Sequence, residues 1–155
     1  MNPIIFLDFD GVLNSSAWQG RRHESRLHPD LKNRPYLIQI DPAAIGLLNQ
    51  LIDRTGADVV VTSSWRGHSV GFLQTLLRQR GFLGRVVGIT PRINNAARSA
   101  EIKAWCEPHD WFPCVAIDDD KIGGGLEFVQ TNHEVGISQQ DVDLACQILN
   151  SGADR

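Results

Sequence analysis

Short apolar runs alternate with longer segments of helical period along this chain of 155 residues. Five of the runs are too short to be helices and are predicted as strands, near residues 3–8, 57–62, 85–89, 114–118 and 126–130. Strands that alternate with helices are typical of a mainly parallel sheet with helices on its faces. We therefore predict an α/β fold, a Rossmann-like three-layer α/β/α sandwich with a mainly parallel five-stranded sheet.

The helical segments carry their own start and stop signals. Asp41 and Pro42 supply an N-cap followed by proline at the first helical position, and apolar residues at helical spacing continue as far as Gly56. Similar periodicity predicts three more helices, of which one ends before Gly81, one ends before Pro108 and one lies near 139–150. Between the first strand and Pro42 we expect only a loop or a short hairpin.

Composition limits the class of protein. The chain is 42% hydrophobic and 21% charged, which is typical of a soluble globular protein, and its length favours a single domain over residues 1–155. Its apolar runs are too short to span a bilayer. Cys106, Cys114 and Cys146 form no C-x-x-C pair, so we expect neither a disulfide framework nor a zinc site, and a reducing cytoplasm is favoured.

Charge is unevenly distributed along the chain. The net charge is −3, but residues 15–38 hold five basic and two acidic residues, a net of +3, which leaves −6 for the rest. We call residues 15–38 the basic flap. With Trp18 and Tyr36 it is expected to lie near the mouth of a site, where basic and aromatic side chains suit a nucleic-acid end or a nucleotide. The alternative is a solvated flap that only offsets an acidic body.

Two acids, Asp8 and Asp10, stand at the end of the first predicted strand. Ligands of parallel sheets bind at the carboxyl ends of the strands. Two carboxylates there repel each other unless a cation intervenes, and Mg²⁺ prefers one or two protein carboxylates with water and phosphate oxygens. Gly11, which follows, allows a sharp turn near a ligand.

A second acidic cluster, Asp118, Asp119 and Asp120, follows the strand near 114–118. Either cluster alone is more often a solvated turn or a helix cap. Because both clusters follow strands of one predicted parallel sheet, they favour a shared metal site instead.

Hydroxyls and a basic residue complete the set of candidate site residues. The strand near 57–62 ends in Thr62, Ser63 and Ser64, which can hold a phosphoryl group or simply cap the next turn. Arg98 precedes the third predicted helix and can neutralise phosphate oxygens or a carboxylate, with Lys103 one turn later as its rival.

The order of these motifs, Asp-x-Asp, hydroxyl, base and Asp cluster, resembles that of the haloacid dehalogenase (HAD) superfamily of phosphotransferases. More narrowly, the chain resembles the small HAD domains associated with Swiss Army Knife RNA-repair proteins. This second resemblance rests on residues 7–14, 63–66, 117–120, 128–131 and 136–137. Many superfamily members have threonine where this chain has Val12, which removes a hydrogen bond but leaves both acids in place.

The resemblance implies a role for each acid. Asp8 would be the nucleophile that forms an aspartyl-phosphate, and Asp10 would be the general acid and base. Mg²⁺ would be held by Asp8, by the backbone carbonyl of Asp10, by Asp119 directly and by Asp118 directly or through water. We expect Asp120 only to cap the next turn.

The resemblance also implies the groups that bind phosphate. Ser63, two residues before Trp65, is the preferred hydroxyl, with Ser64 and Arg98 beside it. Thr62 stays an alternative to Ser63, and Lys103 an alternative to Arg98.

Together these features predict a Mg²⁺-dependent phosphomonoester hydrolase acting on nucleic-acid or nucleotide terminal phosphates. A small-metabolite phosphatase and a catalytically weak domain that binds phosphate or metal for regulation are the alternatives. The superfamily that the chain resembles can carry a cap domain over its site, but here the gap before Pro42 and the span from Thr90 to Asp118 leave no room for a large one. We therefore expect a minimal, capless domain with an open site, which a large substrate or a partner protein would cover.

Overall fold

The computed structural model describes residues 2–21, 34–110 and 113–153. Five strands form one sheet in which every neighbouring pair is parallel. The strands are β1 (Ile4–Leu7), β2 (Asp58–Val61), β3 (Val86–Ile89), β4 (Cys114–Asp118) and β5 (Phe128–Gln130), in the order β3-β2-β1-β4-β5. The predicted α/β fold with a parallel five-stranded sheet is confirmed.

The central strand β1 is buried on both faces of the sheet. Successive side chains of a strand point to opposite faces. Ile5 and Leu7 accordingly belong to the larger apolar cluster, which includes residues of the helices over 42–55, 70–79 and 139–153. Ile4 and Phe6 belong to a smaller cluster on the other face, with Ile102 and Cys106 of the helix over 98–106. Helices thus cover both faces, as a three-layer sandwich requires.

Four longer helices lie where the sequence predicts them: α3 (Pro42–Thr55), α4 (Val70–Gln79), α5 (Arg98–Cys106) and α6 (Gln139–Ala153). The Asp41 carboxylate accepts a hydrogen bond from the Ala43 N–H and caps α3, and Gly56 ends it with a left-handed φ of 67°. The structure therefore confirms these local signals.

The described part of the basic flap differs from the expected loop or hairpin. It contains two short helices, α1 (Ser16–Arg21) and α2 (Pro35–Gln39), while residues 22–33 lie outside the described residues. Trp18 is buried, and its indole N–H donates to the Ile38 carbonyl at 3.0 Å. Its ring joins the two helices and is not exposed to a ligand, contrary to the expected role of an aromatic side chain that faces a substrate. Tyr36, in contrast, is 45% exposed.

Strand register determines which side chains meet at the carboxyl edge. Leu7 of β1 pairs with Val61 of β2 and with Ile117 of β4. These paired residues are followed by Asp8, Thr62 and Asp118, respectively. The three residues therefore lie side by side at the edge of the sheet. No helix among the described residues is long and apolar enough to cross a membrane.

Candidate active site

Three carboxylates converge where β1 and β4 end. Asp8, Asp118 and Asp119 each offer an oxygen, and these oxygens all lie within 4.8 Å of one another. Asp8 and Asp118 are buried, with 6% and 3% of their surface exposed. The strands that follow β1 in the chain are added first on one side of it, as β2 and β3, and then on the other, as β4 and β5. Ligands of such sheets bind at this change in strand order, between β1 and β4.

Burial makes this cluster unfavourable when every carboxylate is charged. Loss of solvation, reinforced by the charge of Asp118, raises the pKa of Asp8 from 3.8 to about 8. Burial likewise raises the pKa of Asp118. Grouped carboxylate oxygens of this kind are the ligands that Mg²⁺ prefers, and a cation would remove the repulsion. The residues present therefore fit the expected metal.

Asp119 reaches the cluster because Gly11 has no side chain. Gly11 has φ of +79°, and a Cβ atom built on it would lie 2.4 Å from Oδ2 of Asp119. A residue with a side chain would suffer both a strained backbone and a clash. The Asp119 carboxylate therefore packs directly against the backbone that follows β1.

Residues after β5 also hold this backbone. The Thr131 hydroxyl donates to the Gly11 carbonyl at 2.9 Å, and the Ile137 N–H donates to the Val12 carbonyl at 3.0 Å. Gly136 approaches the same Val12 carbonyl so closely that a Cβ atom would lie 2.8 Å from it. The motif residues 128–131 and 136–137 thus support the loop that carries Asp8 and Asp10.

Asp10 is exposed and is held by three side chains. Its Oδ1 accepts from the Asn14 amide at 2.8 Å and from the Trp65 indole N–H at 3.2 Å. Its Oδ2 contacts the Ser64 hydroxyl at 3.1 Å. The Gly11 N–H donates to the Asn14 Oδ1, which directs the Asn14 amide nitrogen toward Asp10. The sequence alone assigns no role to Asn14, although this residue lies within the first motif.

The three candidate hydroxyls occupy different places. The Thr62 hydroxyl accepts from Arg98 at 3.0 Å beside Asp8, and the Ser64 hydroxyl contacts Asp10. Ser63 is fully buried, and its hydroxyl accepts the Trp65 N–H at the start of a 3₁₀ helix, Ser64–Gly67. The preference for Ser63 as the phosphate-binding hydroxyl does not fit this arrangement, because Ser63 acts as a cap. Thr62, the alternative, fits it better.

Arg98 is the cation at the acidic cluster. Its Nη1 lies 3.4 Å from Oδ2 of Asp118 and 4.0 Å from Oδ1 of Asp8, besides its bond to Thr62. A guanidinium in this position partly offsets the carboxylates and lies where phosphate oxygens would approach.

Lys103, the rival of Arg98, faces another part of the chain. A Cβ atom built on Gly124 would lie 3.5 Å from the Lys103 ammonium nitrogen and 2.9 Å from the Ser99 hydroxyl. No ion pair joins Lys103 to an acid within the described ranges. The geometry therefore favours Arg98 over Lys103 as the basic residue of the site.

Glu101 positions two arginines and was not singled out by the sequence. It is buried, with Oε2 at 2.7 Å from Nη2 of Arg66 and Oε1 at 3.9 Å from Nε of Arg98. Arg66 also donates to the Thr62 carbonyl at 3.3 Å. The i, i+3 spacing of Arg98 and Glu101 on one helix is the sequence signal that could have identified this contact.

The fold and this acidic edge define a domain of the haloacid dehalogenase type. A model of the family described as the HAD domain in Swiss Army Knife RNA repair proteins matches residues 4–142, and the chain belongs to this family. The resemblance stated from the motifs is thereby confirmed. Searches of curated proteins and of solved structures found no match. At the level of the superfamily, membership indicates phosphatase-type hydrolase chemistry.

Stability in the absence of metal is expected to fall as pH rises. The folded protein keeps a proton on Asp8 up to about pH 8, whereas the unfolded chain loses it near 3.8, so folding becomes less favourable across this interval. Thermal unfolding in EDTA should therefore give a lower Tm near pH 8 than near pH 4. The Asp8→Asn variant should show a weaker dependence of Tm on pH and a higher Tm than the wild type at the upper pH. Mg²⁺ should raise the Tm of the wild type most at high pH.

The exposed Asp53 of α3 provides a matched control, because Asp53→Asn removes an equal charge away from the cluster. A Tm of Asp8→Asn that follows the wild-type pH profile in EDTA would contradict the proposed repulsion.

Gly11→Ala is expected to displace Asp119. The left-handed backbone should cost about 1–2 kcal/mol of unfolding free energy, and Mg²⁺ should bind at least tenfold more weakly, by about 1.4 kcal/mol or more. Urea unfolding and a calorimetric Mg²⁺ titration measure the two effects. Gly71→Ala is the control, since a Cβ atom on Gly71 meets nothing within 4 Å. Unchanged Mg²⁺ affinity in Gly11→Ala would show that the close approach is dispensable.

Proposed function

We propose that this chain is a Mg²⁺-dependent phosphomonoester hydrolase that acts through an aspartyl-phosphate on Asp8. We propose terminal phosphates of nucleic acids or nucleotides as its substrates. The observation that carries the proposal is the convergence of the Asp8, Asp118 and Asp119 carboxylates, with Arg98 beside them. A buried nucleophilic carboxylate beside a cation site and a guanidinium suits a phosphate dianion.

In the first step an Asp8 oxygen attacks phosphorus and the bond from phosphorus to the leaving-group oxygen breaks. Asp10 gives a proton to that departing oxygen. In the second step Asp10 accepts a proton from water, whose oxygen attacks the phosphorus of the aspartyl-phosphate. The bond between phosphorus and Asp8 then breaks, which releases inorganic phosphate and restores both acids.

The contacts of Asp10 indicate which oxygen carries the proton. Oδ1 accepts from the Asn14 amide and the Trp65 indole, which only donate at these nitrogens. Oδ2 faces the Ser64 hydroxyl, which can donate to a carboxylate or accept from a carboxylic acid. The proton is therefore assigned to Oδ2, and Ser64 can accommodate both states.

Arg98 and Thr62 would orient the phosphate for attack. The Arg98 guanidinium lies between Asp8 and Asp118 and is fixed by Glu101 and by the Thr62 hydroxyl. Asp8, Asp118 and Asp119, with the carbonyl of Asp10 by family analogy, would hold Mg²⁺, whose bound charge would stabilise the negative transition state.

A nucleic-acid end is favoured as substrate by the family description, which refers to RNA repair. An exposed aromatic residue, Tyr36, and a basic residue, Arg92, also lie on the Ser64–Trp65 side of the site. Aromatic and basic groups together suit a phosphorylated nucleoside.

Hydrolysis of 4-nitrophenyl phosphate by the purified chain tests the proposed reaction. We expect turnover with Mg²⁺, loss of turnover in EDTA, and only background release by Asp8→Asn because the nucleophile is missing. Asp53→Asn should keep wild-type activity. Equal rates for Asp8→Asn and the wild type would refute the mechanism. A panel of phosphorylated oligonucleotide ends, mononucleotides and sugar phosphates then ranks the substrates.

The choice between the two buried hydroxyls can be tested separately. Thr62→Val should lower kcat/KM about tenfold or more, because it removes the hydroxyl that orients Arg98 beside Asp8. Ser63→Ala should instead cost about 0.5–2 kcal/mol of stability through the lost cap, with kcat/KM nearly unchanged. Steady-state kinetics and urea unfolding of both variants give the comparison. The reverse pattern would restore Ser63 as the phosphate-binding residue.

A further inference from the structure

We propose that an aromatic cluster beside Asp10 binds the base of a nucleoside that carries the phosphate. The cluster consists of Trp65, Tyr36, His68 and Phe72. This inference rests on the proposed function, because it locates the leaving group from the position of Asp10. It goes further by assigning a recognition site to Trp65 of the second motif and to three rings outside the motifs, and by naming the part of the substrate that they contact.

The four rings contact one another on one side of the site. Tyr36 lies edge-on to Trp65, His68 and Phe72, with centroid distances of 5.9, 5.2 and 5.8 Å. His68 stacks on Phe72 at 4.4 Å. These rings come from four parts of the chain: α2, the 3₁₀ helix over 64–67, the loop after that helix, and α4.

The cluster is much more exposed than an apolar core would be. Tyr36 is 45% exposed and Phe72 is 38% exposed, although both rings already have aromatic neighbours. Exposed rings that are held in place by other rings offer a surface on which a flat ligand can stack at little cost in conformational entropy. Nucleobases bind proteins in this way.

Trp65 connects this surface to the chemistry. Its indole N–H donates to Oδ1 of Asp10, and its ring lies against Phe9 on one side and Tyr36 on another. If Asp10 protonates the leaving oxygen, the group attached to that oxygen extends past Asp10. In a nucleotide the sugar lies between the phosphate and the base. Trp65 likewise lies between Asp10 and Tyr36, since it contacts both.

Charge near the cluster also favours a nucleotide over an apolar ligand. The exposed Arg92 donates to the Ser64 carbonyl at 2.8 Å, which places a guanidinium beside the Ser64–Trp65 turn. The exposed Arg34 directly precedes α2, which carries Tyr36. Basic groups at the margin of an aromatic surface attract the phosphates of nucleotides and nucleic acids.

Paired substrates test the base contact directly. Two nucleotides are used, adenosine 3′-monophosphate and adenosine 5′-monophosphate. Each is compared with the ribose phosphate that carries its phosphate at the same position and has no base. We expect the wild type to prefer the nucleotide, and Tyr36→Leu to lower the ratio of the two kcat/KM values about tenfold, mainly through KM. Tyr36→Phe should retain the preference because it keeps the ring. Phe72→Leu provides a second variant should Tyr36→Leu fail to fold.

Leu83→Ala is the matched control, since Leu83 is 85% exposed and lies outside the cluster. Equal kcat/KM for nucleotide and ribose phosphate, unchanged by Tyr36→Leu, would overturn the inference while leaving a working phosphatase. Such a result would favour a protein partner on the aromatic surface.

Binding measurements separate this inference from the proposed reaction. The same compounds are titrated into Asp8→Asn protein, with and without Tyr36→Leu. Tighter binding of the nucleotide, lost in the double variant, supports the base contact even where no hydrolysis is seen. Equal binding of both compounds overturns it even where hydrolysis is seen. Oligoribonucleotides with the same terminal nucleotide distinguish a free nucleotide from a nucleic-acid end as the substrate. Faster turnover of the oligoribonucleotide than of the mononucleotide indicates a nucleic-acid end.

Discussion

Burial of the neighbouring carboxylates of Asp8 and Asp118, reinforced at Asp8 by the charge of Asp118, is the constraint on which the rest of the site depends. The parallel sheet places them on adjacent strands, and the protein offers only partial compensation. The Phe9 N–H donates to Asp8, the Asp120 N–H donates to Asp118, and Arg98 lies near both. Burial still raises the pKa of both acids. Their neighbours therefore leave a cost for charging both acids, and the proposed divalent cation would offset this cost.

A second constraint is the close packing around the backbone that follows β1. Gly11 admits the Asp119 carboxylate, while Thr131 and Ile137 donate hydrogen bonds to the carbonyls of Gly11 and Val12. Segments more than a hundred residues apart in sequence thus determine one turn. The carboxylate oxygens of the cluster lie within 4.8 Å of one another. Small shifts of this backbone would therefore change the distances between them more than equal shifts elsewhere in the chain.

Elements with local signals could be predicted from the sequence, and elements that depend on tertiary contacts could not. The Asp41 cap and the left-handed Gly56 bound α3 as expected. The six-residue helix α1 has no comparable signal and depends on contacts such as the buried indole of Trp18. In the site, residue type and strand ends predicted the acids. The placement of Thr62 rather than Ser63 beside Asp8 depends on the register of β2 against β1, which spacing along the chain does not reveal.

In the proposed mechanism, Asp10 would link recognition to chemistry through the different environments of its two oxygens. Oδ1 is held by groups that only donate, whereas Oδ2 faces the Ser64 hydroxyl, so a proton can come and go at Oδ2 without breaking the other bonds. One donor to Oδ1 is the Trp65 indole, whose ring also packs against Tyr36. A ligand ring that stacks on this cluster would restrict the Trp65 indole and thereby the orientation of Asp10. Contact with the leaving group would then help to align the acid that protonates it.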